Sequence, residues 1–172
     1  MNIKPIETIY KGYRFRSRLE ARWAVFFDAL GIEYEYEPEG YEFDDGTRYL
    51  PDFKIRSYPI FVEIKPIEPD KEYRKRLENF SIKVEHAVLL IWGSPGDQVM
   101  ELFCFDEATS TGGVLWNELP VDYVDQRRTY FASEIGRYRI DNFINKDMFE
   151  TRRFYHALSK ARQARFEFGE TP

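Results

Sequence analysis

The sequence predicts an α/β fold in which helices cover both faces of a mixed β-sheet. Three observations support this prediction. An amphipathic helical pattern spans residues 17–31, and strand-like segments follow it between residues 32 and 64. A second helical pattern over residues 70–80 then precedes a wholly apolar run at residues 87–92. This order of elements is typical of a three-layer sandwich.

The first helix is predicted to begin near Ser17 and to end at Gly31, after an extended lead-in over residues 10–16. Ser17 is a favourable N-cap, and glycine commonly follows the last turn of a helix. Between them, apolar side chains recur at helical spacing, at Leu19, Trp23, Phe26, Phe27 and Leu30.

Three strands are predicted after this helix. Residues 32–43 alternate aromatic and acidic side chains, with an interruption at residues 38–40. An Asp-Asp-Gly turn at residues 44–46 leads into a strand over residues 48–55, and residues 60–64 form the next one. We expect the three to pair in succession as a meander.

The second helix is predicted to be charged and solvent-facing, with Tyr73, Leu77 and Phe80 directed inward. The apolar residues 87–92 predict a strand that is covered on both faces. Residues 100–105 form the last strand of this region.

The chain is predicted to comprise a core over residues 1–106 and a C-terminal extension over residues 107–172. Small polar residues at 108–113 read as a linker. Residues 146–166 predict a helix that packs on the core, and its last turns are basic.

Composition excludes several classes of protein. The 172 residues suit one compact domain, and the net charge of -5 does not favour nonspecific coating of nucleic acid. Cys104 is the only cysteine, which excludes an intrachain disulfide and a cysteine-based zinc site. Neither a signal peptide nor a membrane span is visible, and we expect a soluble, cytoplasmic protein.

Asp52, Glu63 and Lys65 are the residues most suggestive of chemistry. Alternate residues of a strand share a face, so Glu63 and Lys65 should project together while Val62 and Ile64 point to the opposite layer. Asp52 lies beside Glu63 if their two strands pair. Such a cluster of acids and a lysine is suited to binding a divalent metal.

Two carboxylates and a backbone carbonyl suit Mg²⁺, which prefers oxygen ligands and retains several waters. The candidate ligands are Asp52, Glu63 and the carbonyl of Ile64. Lys65 could orient or activate a metal-bound water, or neutralise charge on a phosphate. It could instead form an ordinary salt bridge to Glu63 or Glu68, although a lysine two residues after a strand acid more often serves such a site.

The motifs PD at residues 51–52 and EIK at residues 63–65, after a helix that carries Glu20, resemble the PD-(D/E)XK nuclease superfamily. The longer pattern RSRLEARWAVFF…YLPDF…VEIKP is especially similar to small phage and bacterial proteins of this superfamily. It is also similar to transposase endonuclease subunits and phage junction resolvases. The resemblance implies a restriction-endonuclease-like core of order αβββαβ over residues 14–105.

The resemblance assigns a role to each matching residue. Asp52 and Glu63 match the metal-binding acids, Lys65 the catalytic lysine, and Glu20 the helical acid that completes the site in some members. Glu20 has a competing interpretation, because Ser17 and Glu20 form the spacing of a capping box, in which the glutamate bonds back to the N-cap amide.

The resemblance also implies a function. We expect an endonuclease that uses Mg²⁺ or Mn²⁺ to hydrolyse DNA phosphodiester bonds, in phage or mobile-element DNA processing. The expected partner is DNA, in the cytoplasm of a bacterium or a phage-infected cell, and a homodimer is compatible with the sequence. The residues themselves do not distinguish DNA from RNA.

Five basic residues surround the first helix and are candidates for nucleic-acid binding: Lys11, Arg14, Arg16, Arg18 and Arg22. They could contact phosphates beside the metal site. They could instead form a solvated face that is paired with nearby glutamates.

Two other functions remain open. One is a catalytically silent nucleic-acid-binding or assembly module on the same fold. The other is a phage protein that binds a host factor through its C-terminal part. The complete acid–acid–lysine set favours the active enzyme.

Overall fold

A computed structural model describes residues 5–56, 59–106, 111–116 and 151–166 of the chain. The helices in these ranges are α1 (Arg18–Leu30), α2 (Lys71–Val84) and α3 (Thr151–Gln163). The strands are β1 (Thr8–Tyr10), β2 (Tyr13–Phe15), β3 (Tyr34–Tyr36), β4 (Tyr41–Glu42), β5 (Arg48–Tyr49), β6 (Phe53–Ile55), β7 (Ile60–Lys65), β8 (Ala87–Trp92), β9 (Val99–Asp106) and β10 (Thr111–Trp116).

Six strands form one mixed sheet in the order β10-β9-β8-β7-β6-β3. The strands β7 and β8 run parallel, and the other neighbouring pairs run antiparallel. A parallel pair needs a crossover connection, which α2 supplies. The predicted α/β class and mixed sheet are therefore confirmed, as is the antiparallel succession of β3, β6 and β7.

Helices cover the two faces of this sheet because its strands alternate their side chains between two cores. One core joins α1 to Val62, Ile64 and their neighbours in the sheet. The other joins α2 to Phe61, Leu90 and the buried part of the β4–β5 hairpin. The central strand β8 is buried along its whole length, as a strand covered on both faces requires.

The helix α1 has the predicted bounds and caps. Ser17 is extended and its hydroxyl accepts a hydrogen bond from the amide of Glu20 at 3.2 Å. Gly31 adopts a left-handed conformation with φ of 74°, which a side chain would disfavour. The helix therefore begins and ends at positions that the sequence specifies.

Two predicted strands have different forms in the structure. The lead-in over residues 10–16 belongs to a β1–β2 hairpin that turns at Lys11 and Gly12, both at positive φ. The predicted strand over residues 48–55 is divided into β5 and β6, which lie in different sheets. Pro51 stands at the division, where its missing amide hydrogen cannot continue a ladder.

The C-terminal part also differs from the prediction. Residues 111–113, predicted as linker, belong to β10 and extend the sheet by pairing with β9 beyond the predicted boundary at residue 106. Residues 108–110, 117–145 and 146–150 lie outside the described residues. The helix α3 packs against α1 and buries Ala157, Leu158 and Ala161.

Replacing Phe80 by alanine should lower the free energy of unfolding by about 3–5 kcal/mol. Phe80 is fully buried, and its ring lies 4.6 Å from that of Tyr49 and 5.1 Å from that of Phe61. Urea unfolding measures the change. Ile67→Ala is the matched control, because Ile67 is 75% exposed and its truncation should cost less than about 0.5 kcal/mol.

Candidate metal-binding site

The candidate site lies at the end of β7, where the strand directs two polar side chains toward α2. Val62 and Ile64 enter the core beneath α1. Glu63 and Lys65 point the other way, and Glu63 contacts Tyr73 of α2. The alternation predicted from the sequence is therefore present.

Asp52 reaches the site from the residue before β6. Phe53 pairs with Val62, which places Asp52 beside the next residue of β7, Glu63. The Asp52 carboxylate accepts a hydrogen bond of 2.7 Å from the amide of Ile64. The Asp52 side chain thus accepts the hydrogen bond from the Ile64 amide that a backbone carbonyl of the neighbouring strand would otherwise accept.

Lys65 lies between the two acids. Its Nζ is 2.5 Å from Glu63 Oε1 and 3.9 Å from Asp52 Oδ2. Burial opposes the charge on Lys65, but the carboxylates of Glu63 and Asp52 outweigh burial and raise the pKa of Lys65 above its ordinary value. The lysine therefore remains a cation at neutral pH in this arrangement.

Two tyrosines that the sequence did not single out for the site complete the surroundings of Glu63. The Tyr49 hydroxyl donates to Oε2 at 2.6 Å, and the Tyr73 hydroxyl donates to Oε1. Burial, reinforced by the charge of Glu63, raises the pKa of each phenol. Tyr73 carried a weak signal, since it was expected on the inward face of α2, but nothing in the sequence linked Tyr49 to Glu63.

The charges of the site do not balance. Asp52 and Glu63 are 7% and 2% exposed, and one lysine stands against both carboxylates. Burial and the neighbouring charge of Glu63 raise the pKa of Asp52 well above its ordinary value, although Lys65 opposes the shift. A further cation near Asp52 would therefore stabilise its charged form.

Glu20 lies in a separate network at the start of α1. Its Oε1 accepts from the Ser17 hydroxyl at 2.6 Å, and its Oε2 accepts from Tyr36 at 2.6 Å. The amide that it caps is that of Arg16, at 3.2 Å, where the capping box predicts Ser17. Its charge nevertheless contributes to the raised pKa of Asp52. Glu20 is thus held at the start of α1 by bonds other than the predicted one to the Ser17 amide, and a catalytic role for Glu20 stays a prediction.

Two carboxylates and a carbonyl are the donors that this site offers a metal. Among the described residues, no group of three or more His, Cys, Asp or Glu side chains is placed to hold an ion. In a β-strand, the amide and the carbonyl of one residue point toward the same neighbouring strand. The Ile64 carbonyl therefore faces the side on which Asp52 lies, as the Ile64 amide does. Oxygen donors of this kind fit Mg²⁺ or Mn²⁺ with water completing the shell.

Three of the five basic residues predicted to bind nucleic acid pair with acids outside the candidate site. Arg18 has a partner, and the Nε of Arg22 is buried without one within the described ranges. The other three form ion pairs: Lys11 with Asp28, Arg14 with Glu7, and Arg16 with Glu37. Exposed pairs of this kind contribute little stability and leave the residues accessible to a phosphate.

Comparisons with known proteins add no assignment. No protein-family model matches the chain, and no curated protein matches it either. Across the ranges that the structure describes, no helix has both the length and the apolar character needed to cross a membrane.

Asp52→Asn should stabilise the metal-free protein by about 1–2 kcal/mol at neutral pH. Asparagine keeps an acceptor for the Ile64 amide but removes a buried charge. Folding raises the pKa of Asp52, so wild-type stability falls as pH rises from the ordinary aspartate pKa to the raised one. The gain should therefore be small below that interval and largest above it, as measured by urea unfolding in EDTA.

Asp45→Asn is the matched control for this prediction. Asp45 is exposed, and hydrogen bonds from the amide and side chain of Thr47 lower its pKa. Removing that charge should give no gain in stability at neutral pH. A loss of stability in Asp52→Asn at neutral pH would contradict the account of an unbalanced buried charge.

Proposed function

We propose that this protein is a metal-dependent nuclease that hydrolyses DNA phosphodiester bonds on a restriction-endonuclease-like core. The observation that carries the proposal is the convergence of two buried carboxylates, Asp52 and Glu63, on one lysine at the end of β7. DNA as the substrate, and a role in phage or mobile-element DNA processing, come from the resemblance of the motifs.

The order of elements supports the proposed core. From α1 onward, the large sheet receives three antiparallel strands, then α2, then the parallel strand β8. That is the αβββαβ succession, with the β4–β5 hairpin inserted between the first two strands. The succession and the motif positions agree, because the acids and the lysine lie on the second and third of these strands or just before them.

Asp52, Glu63 and the Ile64 carbonyl would hold the metal. A bound Mg²⁺ or Mn²⁺ supplies a Lewis acid for the phosphate and lowers the pKa of a coordinated water. The protein contributes the position of these donors: the Ile64 amide fixes Asp52, and Tyr49 fixes Glu63. It also excludes bulk water from both acids, which strengthens their interaction with a cation.

Lys65 would act as a cation at the phosphate. Without metal, burial opposes the charge on Lys65 but the carboxylates of Glu63 and Asp52 raise its pKa, so Lys65 is then not the neutral amine that a general base requires. Among the roles that the sequence left open, orienting the water or neutralising the phosphate therefore fits this arrangement better than removing a proton.

A catalytically silent nucleic-acid-binding module is the second candidate. One observation favours it: every oxygen of Glu63 already has a protein donor, from Tyr49, Tyr73 or Lys65. A carboxylate satisfied in this way is stable without metal. Activity and metal binding decide between the two candidates.

Wild-type protein should cut DNA in the presence of Mg²⁺ or Mn²⁺, and Asp52→Asn should lower the rate at least about 100-fold. The assay compares single-stranded, duplex and branched DNA with the corresponding RNA. Asp45→Asn is the matched control and should cut at the wild-type rate. Because Asp52→Asn is expected to fold at least as well as wild type, its loss of activity cannot be attributed to unfolding.

The outcomes separate the two candidate functions. Binding of DNA without cleavage, under every metal and substrate, would favour the silent module. Cleavage that Asp52→Asn leaves intact would place the active site elsewhere.

Lys65→Arg should retain a measurable part of the cleavage activity, whereas Lys65→Met should lose nearly all of it. Arginine preserves the positive charge but cannot give up a proton near neutral pH. Cleavage rates at saturating metal test the difference, with the exposed Lys83→Met as control. Equal loss in Lys65→Arg and Lys65→Met would contradict a purely cationic role.

A further inference from the structure

Glu63 is bonded by two tyrosines that differ in how firmly they are held. Tyr49 is 6% exposed, and its ring packs 4.6 Å from that of Phe80 in the core beneath α2. Tyr73 is only partly buried, in the first turn of α2, and follows a connection whose residues 66–68 are exposed. The two hydroxyls occupy different oxygens of the same carboxylate.

The oxygen that Tyr73 occupies is the one that also contacts Lys65. Lys65 contacts Glu63 through Oε1, and its Nζ lies 3.9 Å from Asp52 Oδ2. A carboxylate oxygen has about two lone-pair sites. Tyr73 and Lys65 fill both of them on Oε1. A cation that binds Glu63 through Oε1 must therefore displace one of these donors.

We propose that the Tyr73 hydroxyl is a latch on Glu63 that a divalent cation displaces, whereas the Tyr49 hydroxyl is a fixed anchor for the same carboxylate. The inference rests on the proposed metal-dependent function. Lys65 must stay in the site to meet the phosphate, which leaves Tyr73 as the donor that gives way. Because Tyr73 lies near solvent, water can replace its hydrogen bond, a replacement that the buried Tyr49 does not have.

The latch explains how the fold accommodates the two buried acids when no metal is bound. With Tyr73 in place, each oxygen of Glu63 has a protein donor, and Oε1 has two. Two cations lie near the Tyr73 ring, with Lys65 Nζ at 5.1 Å and the Arg76 guanidinium at 5.5 Å from its centroid. Tyr73 also packs against the core that contains Tyr49, so the latch concerns the hydrogen bond of its hydroxyl and not the position of its ring.

The same substitution at the two tyrosines should change the affinity for Mn²⁺ in opposite directions. Tyr73→Phe removes a competitor and should tighten binding about three- to tenfold, whereas Tyr49→Phe frees Glu63 and should weaken binding by a similar factor. Calorimetric titration of the full chain with Mn²⁺ measures both. Tyr41→Phe is the matched control, because Tyr41 packs against Phe80 but donates to Glu39.

The outcomes distinguish the latch from the metal site itself. Loss of Mn²⁺ binding in Asp52→Asn would support the metal site. If Tyr73→Phe then binds Mn²⁺ as tightly as wild type or more weakly, the latch is overturned and the proposed function stands. Tighter binding in Lys65→Met but not in Tyr73→Phe would identify Lys65 as the displaced donor and also overturn it. Absence of Mn²⁺ binding in both wild type and Tyr73→Phe would overturn the latch and the metal site together. Binding in Tyr73→Phe alone would support the latch in its strongest form.

Discussion

The hydrogen bond from the Ile64 amide to the Asp52 carboxylate is the contact on which the arrangement of the site depends. It forms because β6 and β7 pair in a register that matches Phe53 with Val62. A shift of that register by one residue would send Glu63 and Lys65 into the core beneath α1 and move Asp52 out of reach. The apolar side chains that fix the register therefore also fix the distance between the two acids.

Sequence patterns predicted the parts of this structure that local chemistry determines. The bounds of α1 follow from its cap residues, and the faces of β7 follow from strand periodicity. The division of the strand predicted over residues 48–55 and the hairpin form of the lead-in were not predicted, because a break at Pro51 and a turn at Lys11 decide which sheet a short segment joins. The sheet that each segment joins depends on contacts with residues distant in sequence, and a local sequence pattern does not contain that information.

The residues of the candidate site also divide into those that a local sequence pattern predicts and those that it does not. Asp52, Glu63 and Lys65 could be placed together because neighbouring strands bring them there. Tyr49 reaches Glu63 only because the β4–β5 hairpin folds over the sheet, a long-range arrangement that alternation cannot reveal. Glu20 carried two interpretations from the start, and its bonds to Ser17, Arg16 and Tyr36 account for its burial without a metal.

The excess of negative over positive charge in the site affects which substitutions this protein can accumulate during evolution. A fold usually loses stability when a buried polar residue is replaced, and that loss opposes drift. Here the charge of the buried Asp52 opposes folding, since burial and the charge of Glu63 raise its pKa. Selection for a stable chain therefore does not protect this acid against asparagine, which keeps an acceptor for the Ile64 amide, and only selection on its chemistry can retain the carboxylate.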